Sequence, residues 1–269
     1  MSIKLDLHLH SESRGKIFIE ADDLRYALGK NNLDGAAITN FFSLSHAVKI
    51  KEEIKDFIII IGQEICSQEG HLTALGLKEK IADLQPAHET INQIHSQGGI
   101  AVAVHPFLPL GLGKKVTELS VDAIEVYNAA LGASIIYNYR AKRVSEKLGI
   151  PGLSSTDTTA AEFVGRSYTE VMTDDKAGIL NTICTGDVKL VRKALPFPFL
   201  FTLKSILRFK NLAPCSTHAV PCLICGYSMV VRLFKEKVRC LDCGKVELSR
   251  ILCCNGHYIC DKCVAKRYD

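Results

Sequence analysis

Near the start of the chain leucine alternates with polar side chains: Leu5, Leu7 and Leu9 against Asp6, His8 and His10. Successive side chains of an extended strand point to opposite faces. Residues 3–10 therefore predict a strand with one leucine face and one face carrying a carboxylate and two imidazoles. Further apolar runs predict strands over 35–39, 57–62, 71–77, 100–105, 123–126 and 152–155. Between them apolar residues recur at helical spacing, as Leu24, Ala27 and Leu28 do, and helices are predicted over 20–32, 43–55, 87–97 and 132–148. Gly98-Gly99 and Gly149 stand where two of these helices end. Strands this apolar suit burial on both faces, as in a parallel sheet. The alternation predicts an α/β fold, and six or seven units in one domain predict a barrel. Beyond Met172 the pattern weakens, and 174–192 predicts a closing helix or two.

The polar residues fall repeatedly where strands give way to loops, the end at which α/β barrels collect their chemistry. His8 and His10 close the first strand, Asn40-Phe41 follows the second, and Gln63-Glu64 follows the third. His105-Pro106, Tyr127-Asn128 and Asp157 close later ones. Two histidines on one strand face make half a metal site, and the remaining ligands are expected from these other strand ends. His46, His88 and His95 lie in helical patterns and read as surface or packing residues. Cys66 reads as a small core residue.

Seven stretches in order, Asp6-Leu-His-Leu-His10-Ser11, Ala37-Ile-Thr-Asn40, Gly62-Gln-Glu64-Ile, His71-Leu-Thr-Ala-Leu-Gly76-Leu, Ala103-Val-His105-Pro106-Phe107, Glu125-Val-Tyr-Asn128 and Ser155-Thr-Asp157, resemble the successive motifs of the PHP (polymerase and histidinol phosphatase) family across about residues 3–173. The resemblance implies a distorted (β/α)7 barrel holding up to three metals and hydrolysing phosphate esters. It implies one metal on His8, His10, Glu64 and Asp157, and a second on Glu64, His71 and His105. The positions that would serve a third metal hold Arg14, Phe41 and Thr159 instead. A site that keeps two divalent metals (Zn, Mn or Fe) and has given up the third is expected. Two metals about 3.5–4 Å apart can still activate a hydroxide for attack on phosphorus. Asp157 is expected to act as ligand and proton acceptor. Arg14 is expected to supply the charge of the lost metal by gripping phosphate oxygens, with Arg166 as a second phosphate contact.

Composition adds a second module. Nine of the eleven cysteines follow position 214, mostly as Cys-x-x-Cys pairs. Cys222/Cys225, Cys240/Cys243, Cys254/His257 and Cys260/Cys263 offer enough ligands for two tetrahedral structural zincs. Loops this small cannot bury a core, so metal would supply their folding free energy. Adjacent pairing would give one four-cysteine site and one Cys3His site, and crossed pairing is the alternative. Cys253 could replace Cys254. Zinc rather than disulfides, with no leader at the start of the chain, points to a cytoplasmic protein. No apolar run is long enough for a membrane span. A net charge of +4 excludes a global field aimed at nucleic acid.

The expected organisation is a PHP-like barrel over 1–187, a basic and apolar connector over 188–218 and a cysteine-rich zinc domain over 219–269. The expected function is metal-dependent hydrolysis of a small phosphorylated metabolite or nucleotide, with the zinc domain recruiting substrate, nucleic acid or a protein partner. The alternatives are a nuclease acting on nucleic-acid phosphodiesters, and a barrel that has lost catalysis and serves as a binding platform.

Overall fold

The computed structural model describes residues 1–13, 16–108, 110–131, 135–194, 229–253, 256–260 and 263. It divides into two compact units, Met1–Leu200 and Phe201–Asp269. In the first unit the strands are β1 (Ile3–Leu9), β2 (Glu12–Ser13), β3 (Lys16–Ile17), β4 (Gly35–Ile38), β5 (Ile58–Cys66), β6 (His71–Leu75), β7 (Ile100–Ala103), β8 (Ala123–Asn128), β9 (Gly152–Ser155), β10 (Tyr168–Val171) and β11 (Val188–Val191). The helices are α1 (Ala21–Lys30), α2 (Ser45–Glu53), α3 (Ala87–Ser96), α4 (Ile135–Leu148) and α5 (Ile179–Thr185). Apart from a small β2–β3 hairpin, the strands form one nine-stranded sheet ordered β11-β10-β1-β4-β5-β6-β7-β8-β9.

The sheet curls into a nearly closed barrel because the chain leaving β9 lies along β1. Asp157 N–H donates to the His8 carbonyl at 2.8 Å, and His10 N–H donates to the Thr158 carbonyl at 2.9 Å. Beneath that seam Asp6, wholly buried, accepts the Thr156 N–H at 3.1 Å, the Thr156 hydroxyl at 2.5 Å and the Gly165 N–H at 3.0 Å. Burial outweighs these donors and raises the Asp6 carboxyl to about 6. The polar residue that opens the alternating strand is thus a clasp of the barrel wall.

The leucine face of β1 packs as expected. Leu5 and Leu7 share a buried cluster with Ile179 and Ile183 of α5, while Leu9 joins Leu24 and Leu28 of α1 and Ile50 of α2. A third cluster joins Ile91 and Ile94 of α3 to Ile65, Leu72 and Ala101. The predicted helices and strands are found with ends shifted by a few residues, but the sheet is mixed. β6 runs antiparallel to both β5 and β7. Only residues 67–70 join β5 to β6, closed by Ser67 N–H donating to the Gly70 carbonyl, and parallel strands need a crossover of a dozen or more residues. β10 runs antiparallel to β1, and β11 antiparallel to β10. The segment 174–192, expected to hold a closing helix or two, holds α5 and then β11, so the sheet continues through Val191 into the stretch expected as connector.

In the second unit β12 (Met229–Arg239) and β13 (Val246–Cys253) form an antiparallel hairpin. Its small core comprises Val238, Cys240, Tyr258 and Cys260. Among the described residues no helix is long and apolar enough to cross a membrane.

Candidate metal centre

Six side chains expected to meet do meet. His8 and His10 come from β1, Glu64 from β5, His71 from the start of β6, His105 from just beyond β7 and Asp157 from the loop after β9. Glu64 lies at the centre. One carboxylate oxygen, Oε2, faces His8 Nε2 at 3.2 Å and His10 Nε2 at 3.0 Å. The other, Oε1, faces His71 Nδ1 at 2.5 Å and His105 Nε2 at 3.1 Å. Asp157 Oδ1 lies 3.7 Å from His8 Nε2 and 3.5 Å from His10 Nε2. The ligand atoms of His8, Glu64 and His105, and those of His8, His10 and Asp157, each lie within 4.8 Å of one another.

The local structure explains this convergence. Alternation on β5 sends Gln63 away from Glu64, where its amide pairs with the Ile81 backbone N–H and carbonyl. Gly62 lets β5 approach β6 closely, since a Cβ there would lie 2.6 Å from the Ala74 carbonyl oxygen. His105 and Asp157 hold left-handed backbone, φ 29° and 52°. Such conformations cost of order 1–3 kcal/mol each in non-glycine residues and persist where the surroundings enforce them.

The donor set suits divalent cations. It comprises four imidazoles and two carboxylates, nearly all buried, and atoms bound about 2.1 Å from one tetrahedral ion lie about 3.4 Å apart. The two Glu64 oxygens divide between two histidine pairs, as a bridging carboxylate would.

The electrostatics point the same way. Burial works against charge at His8, His10 and His105. Neighbouring carboxylates outweigh it and raise all three above the ordinary imidazole value: Asp157 and Glu125 at His8, Asp157 and Glu64 at His10, Glu64 at His105. Burial would likewise raise Glu64 and Asp157, yet the charge of His71 and the imidazole hydrogen bonds hold Glu64 well below its usual range. The charge of His8, with the hydrogen bond from His10, brings Asp157 to about 2. A cation must therefore displace protons, and metal affinity is expected to rise with pH through neutrality with net proton release. Titration calorimetry in buffers of different ionisation enthalpy reads that release, and a pH-independent affinity would contradict it. In metal-stripped protein the raised histidines stabilise the fold below about pH 6.5, and this is lost as pH rises through their raised values. The contribution of Glu64 and Asp157 is present above about pH 4 and lost as pH falls through their depressed values.

Around these six stand residues whose roles the sequence pattern did not disclose. Glu125, wholly buried on β8, accepts from His8 Nδ1 at 3.0 Å. Asn128 Nδ2 donates to Glu125 Oε2 and to Asp157 Oδ2, both at 2.9 Å. Asn40 Oδ1 accepts the Ser11 and Glu12 N–H groups at 2.8 and 3.0 Å, shaping the turn out of β1. Phe41 stacks on the His10 ring, centroids 4.8 Å apart and planes 7° from parallel. An apolar ring thus flanks the histidine pair on the side where the family resemblance would put a third metal. Arg14 lies outside the described residues. Arg166 is exposed and donates from Nε to the Ala194 carbonyl at 2.5 Å. His46 is buried against the Ser11 hydroxyl, and His95 pairs with Asp122, consistent with packing roles. Cys66 is buried, as a small core residue would be.

In the second unit Cys240, Cys243, Cys260 and Cys263 bring their sulfurs within 4.8 Å of one another. Cys243 and Cys260 Sγ lie 3.7 Å apart, close to the edge of about 3.8 Å of a tetrahedron with metal–sulfur bonds of about 2.3 Å. Burial would raise the Cys240 thiol, but N–H groups led by that of Cys260 bring it down to about 6, while its neighbour Cys263 is raised to about 12. Among the described residues the second knuckle lies beside the last one. Cys222, Cys225 and Cys254 lie outside the described residues, and His257 is half-buried.

A family model described as PHP-associated matches residues 136–188. An uncharacterized protein of Methanocaldococcus jannaschii, MJ1587, is 32% identical over 160 residues, covering 54% of this chain and 94% of its own length. The chain carries a PHP-associated segment and shares the family of MJ1587. The fold agrees with that of PHP-like metal-dependent phosphoesterases. A two-domain Bacteroides vulgatus protein containing a predicted PHP-like metal-dependent phosphoesterase superposes with a TM-score of 0.58 at 16% identity, over 95% of this chain and 88% of that one. The lesion-specific endonuclease PfuEndoQ of Pyrococcus furiosus superposes with a TM-score of 0.51 at 14% identity, over 84% of this chain and 68% of its own.

Proposed function

We propose that this PHP barrel is a metal-dependent phosphoesterase holding two divalent cations. The first is held by His8, His10, Glu64 and Asp157, and the second by Glu64, His71 and His105. The division of the two Glu64 oxygens between two histidine pairs carries this reading. Cations held there supply Lewis acidity and an acidified water for attack on phosphorus.

The protein's own groups do the rest. The buried histidines and carboxylates hold the centre rigid and exclude bulk water. Asp157, its side chain 21% exposed while Glu64 is 2% exposed, is the acid that reaches toward solvent and can accept a proton at Oδ1. Asn128 fixes its other oxygen. Phe41 walls off one side, leaving a two-metal site without a third position.

The preferred substrate class is a small phosphorylated metabolite or a nucleotide. The likeness to a lesion-specific endonuclease supports nucleic-acid phosphodiesters as the second reading. The four-cysteine cluster is assigned a structural zinc, and its unit is the candidate for recruiting substrate or partner. Manganese-loaded protein screened on phosphomonoesters, nucleotides and abasic-site duplexes is expected to hydrolyse one class, with His8→Ala lowering turnover at least about a hundredfold, a loss of about 2.7 kcal/mol. No turnover with any class by fully loaded protein would favour the non-catalytic barrel.

A further inference from the structure

We propose that Glu125 is a positioning residue that couples the two cation positions, and this rests on the two-metal reading. Its carboxylate is wholly buried, and each oxygen serves both a proposed ligand residue and a second partner. Oε1 pairs with His8 Nδ1 at 3.0 Å and accepts the Ser155 hydroxyl. Oε2 accepts the His105 backbone N–H at 2.8 Å and an Asn128 amide proton at 2.9 Å. That Asn128 amide also holds Asp157.

Three consequences follow from these bonds. A carboxylate at Nδ1 fixes the proton of His8 on that nitrogen and leaves Nε2 as the metal donor. The bond to the His105 N–H helps pin that residue at its positive φ, with its ring toward Glu64. Through Asn128 the same carboxylate orients Asp157. One side chain thus reaches a ligand of the first cation directly, a ligand of the second through the backbone, and the exposed acid through an amide. The His105 N–H and the Asn128 amide can only donate, so a glutamine must keep its oxygen toward them and turn its NH2 toward His8 and Ser155; His8 Nδ1 then accepts only as the Nε2–H tautomer, which takes Nε2 away from the metal.

The test is Mn2+ titration of the full chain with its cysteine sites zinc-loaded. Wild type is expected to take two ions. Glu125→Gln is expected to weaken both by about 10–100-fold, the loss typical of a metal ligand's outer partner. Ser155→Ala, which leaves the His8 and His105 bonds in place, is expected to weaken them less. A folded Glu125→Gln protein that binds both ions as wild type does, or loses affinity at one position only, overturns the coupling. Wild-type protein that takes up no manganese overturns the two-metal reading itself. Ring 15N spectra of zinc-loaded wild type give a readout that needs no variant: His8 is expected as the Nδ1–H tautomer, and an Nε2–H signal overturns the proposal.

Discussion

Glu64→Gln is expected to lose both barrel cations and, with them, hydrolysis. Glu64 gives one oxygen to the His8 and His10 pair and the other to the His71 and His105 pair. Replacing one oxygen by an amide nitrogen removes the charge that holds two cations and turns a donor toward one imidazole pair. Metal ions contribute several kcal/mol of transition-state charge stabilisation, so turnover should fall on the order of 10²–10³-fold or more. Metal analysis of the folded variant after dialysis, beside its turnover, checks this. Retention of one full equivalent in the barrel would mean that Glu64 serves a single ion. The variant also leaves the buried imidazoles without their central counter-charge, so its metal-stripped form is expected to be less stable than wild type near neutral pH.

The second large effect is expected in the cysteine unit. Among the described residues its buried cluster joins Val238 and Tyr258 to two of the four clustered cysteines, Cys240 and Cys260. Structural zinc sites contribute about 10–16 kcal/mol of apparent binding free energy at pH 7. Stripping zinc with a strong chelator should therefore collapse amide-exchange protection throughout β12 and β13 while β4 to β9 keep theirs. Cys240→Ser and Cys263→Ser should each cost the same equivalent of zinc, because their sulfurs belong to one cluster. Undiminished protection of β12 and β13 in zinc-free protein would contradict a metal-built unit.

Much of the barrel and its centre was legible in the alternation of Leu5, Leu7 and Leu9 with Asp6, His8 and His10, because strand geometry sorts such residues onto two faces. The six clustered side chains were legible because they stand as lone polar residues at or near the ends of apolar runs. Glu125 stands in one of the motif stretches but was given no role, because it lies between Ile124 and Val126 inside an apolar run and was not singled out as a strand-end residue. An acid embedded in a run buried on both faces was the available clue, since such a group demands several donors. Asp6 was seen as polar, but its role depends on Thr156 and Gly165, some 150 residues away. The antiparallel course of β6 could have been read from the short 67–70 connection. β11 was missed, its residues being read as the end of the closing segment and the start of the connector, because Val188–Val191 is too short to show a period and its pairing with β10 decides it. The clustering of the second knuckle with the fourth had no local signal, since knuckles of one type are interchangeable in sequence.

The most direct measurement is anomalous diffraction from crystals of the full chain soaked in manganese. Two peaks about 3.5–4 Å apart are predicted, one beside each Glu64 oxygen, with none beside Phe41. A single peak, or a third beside the Phe41 ring, would contradict the two-metal barrel.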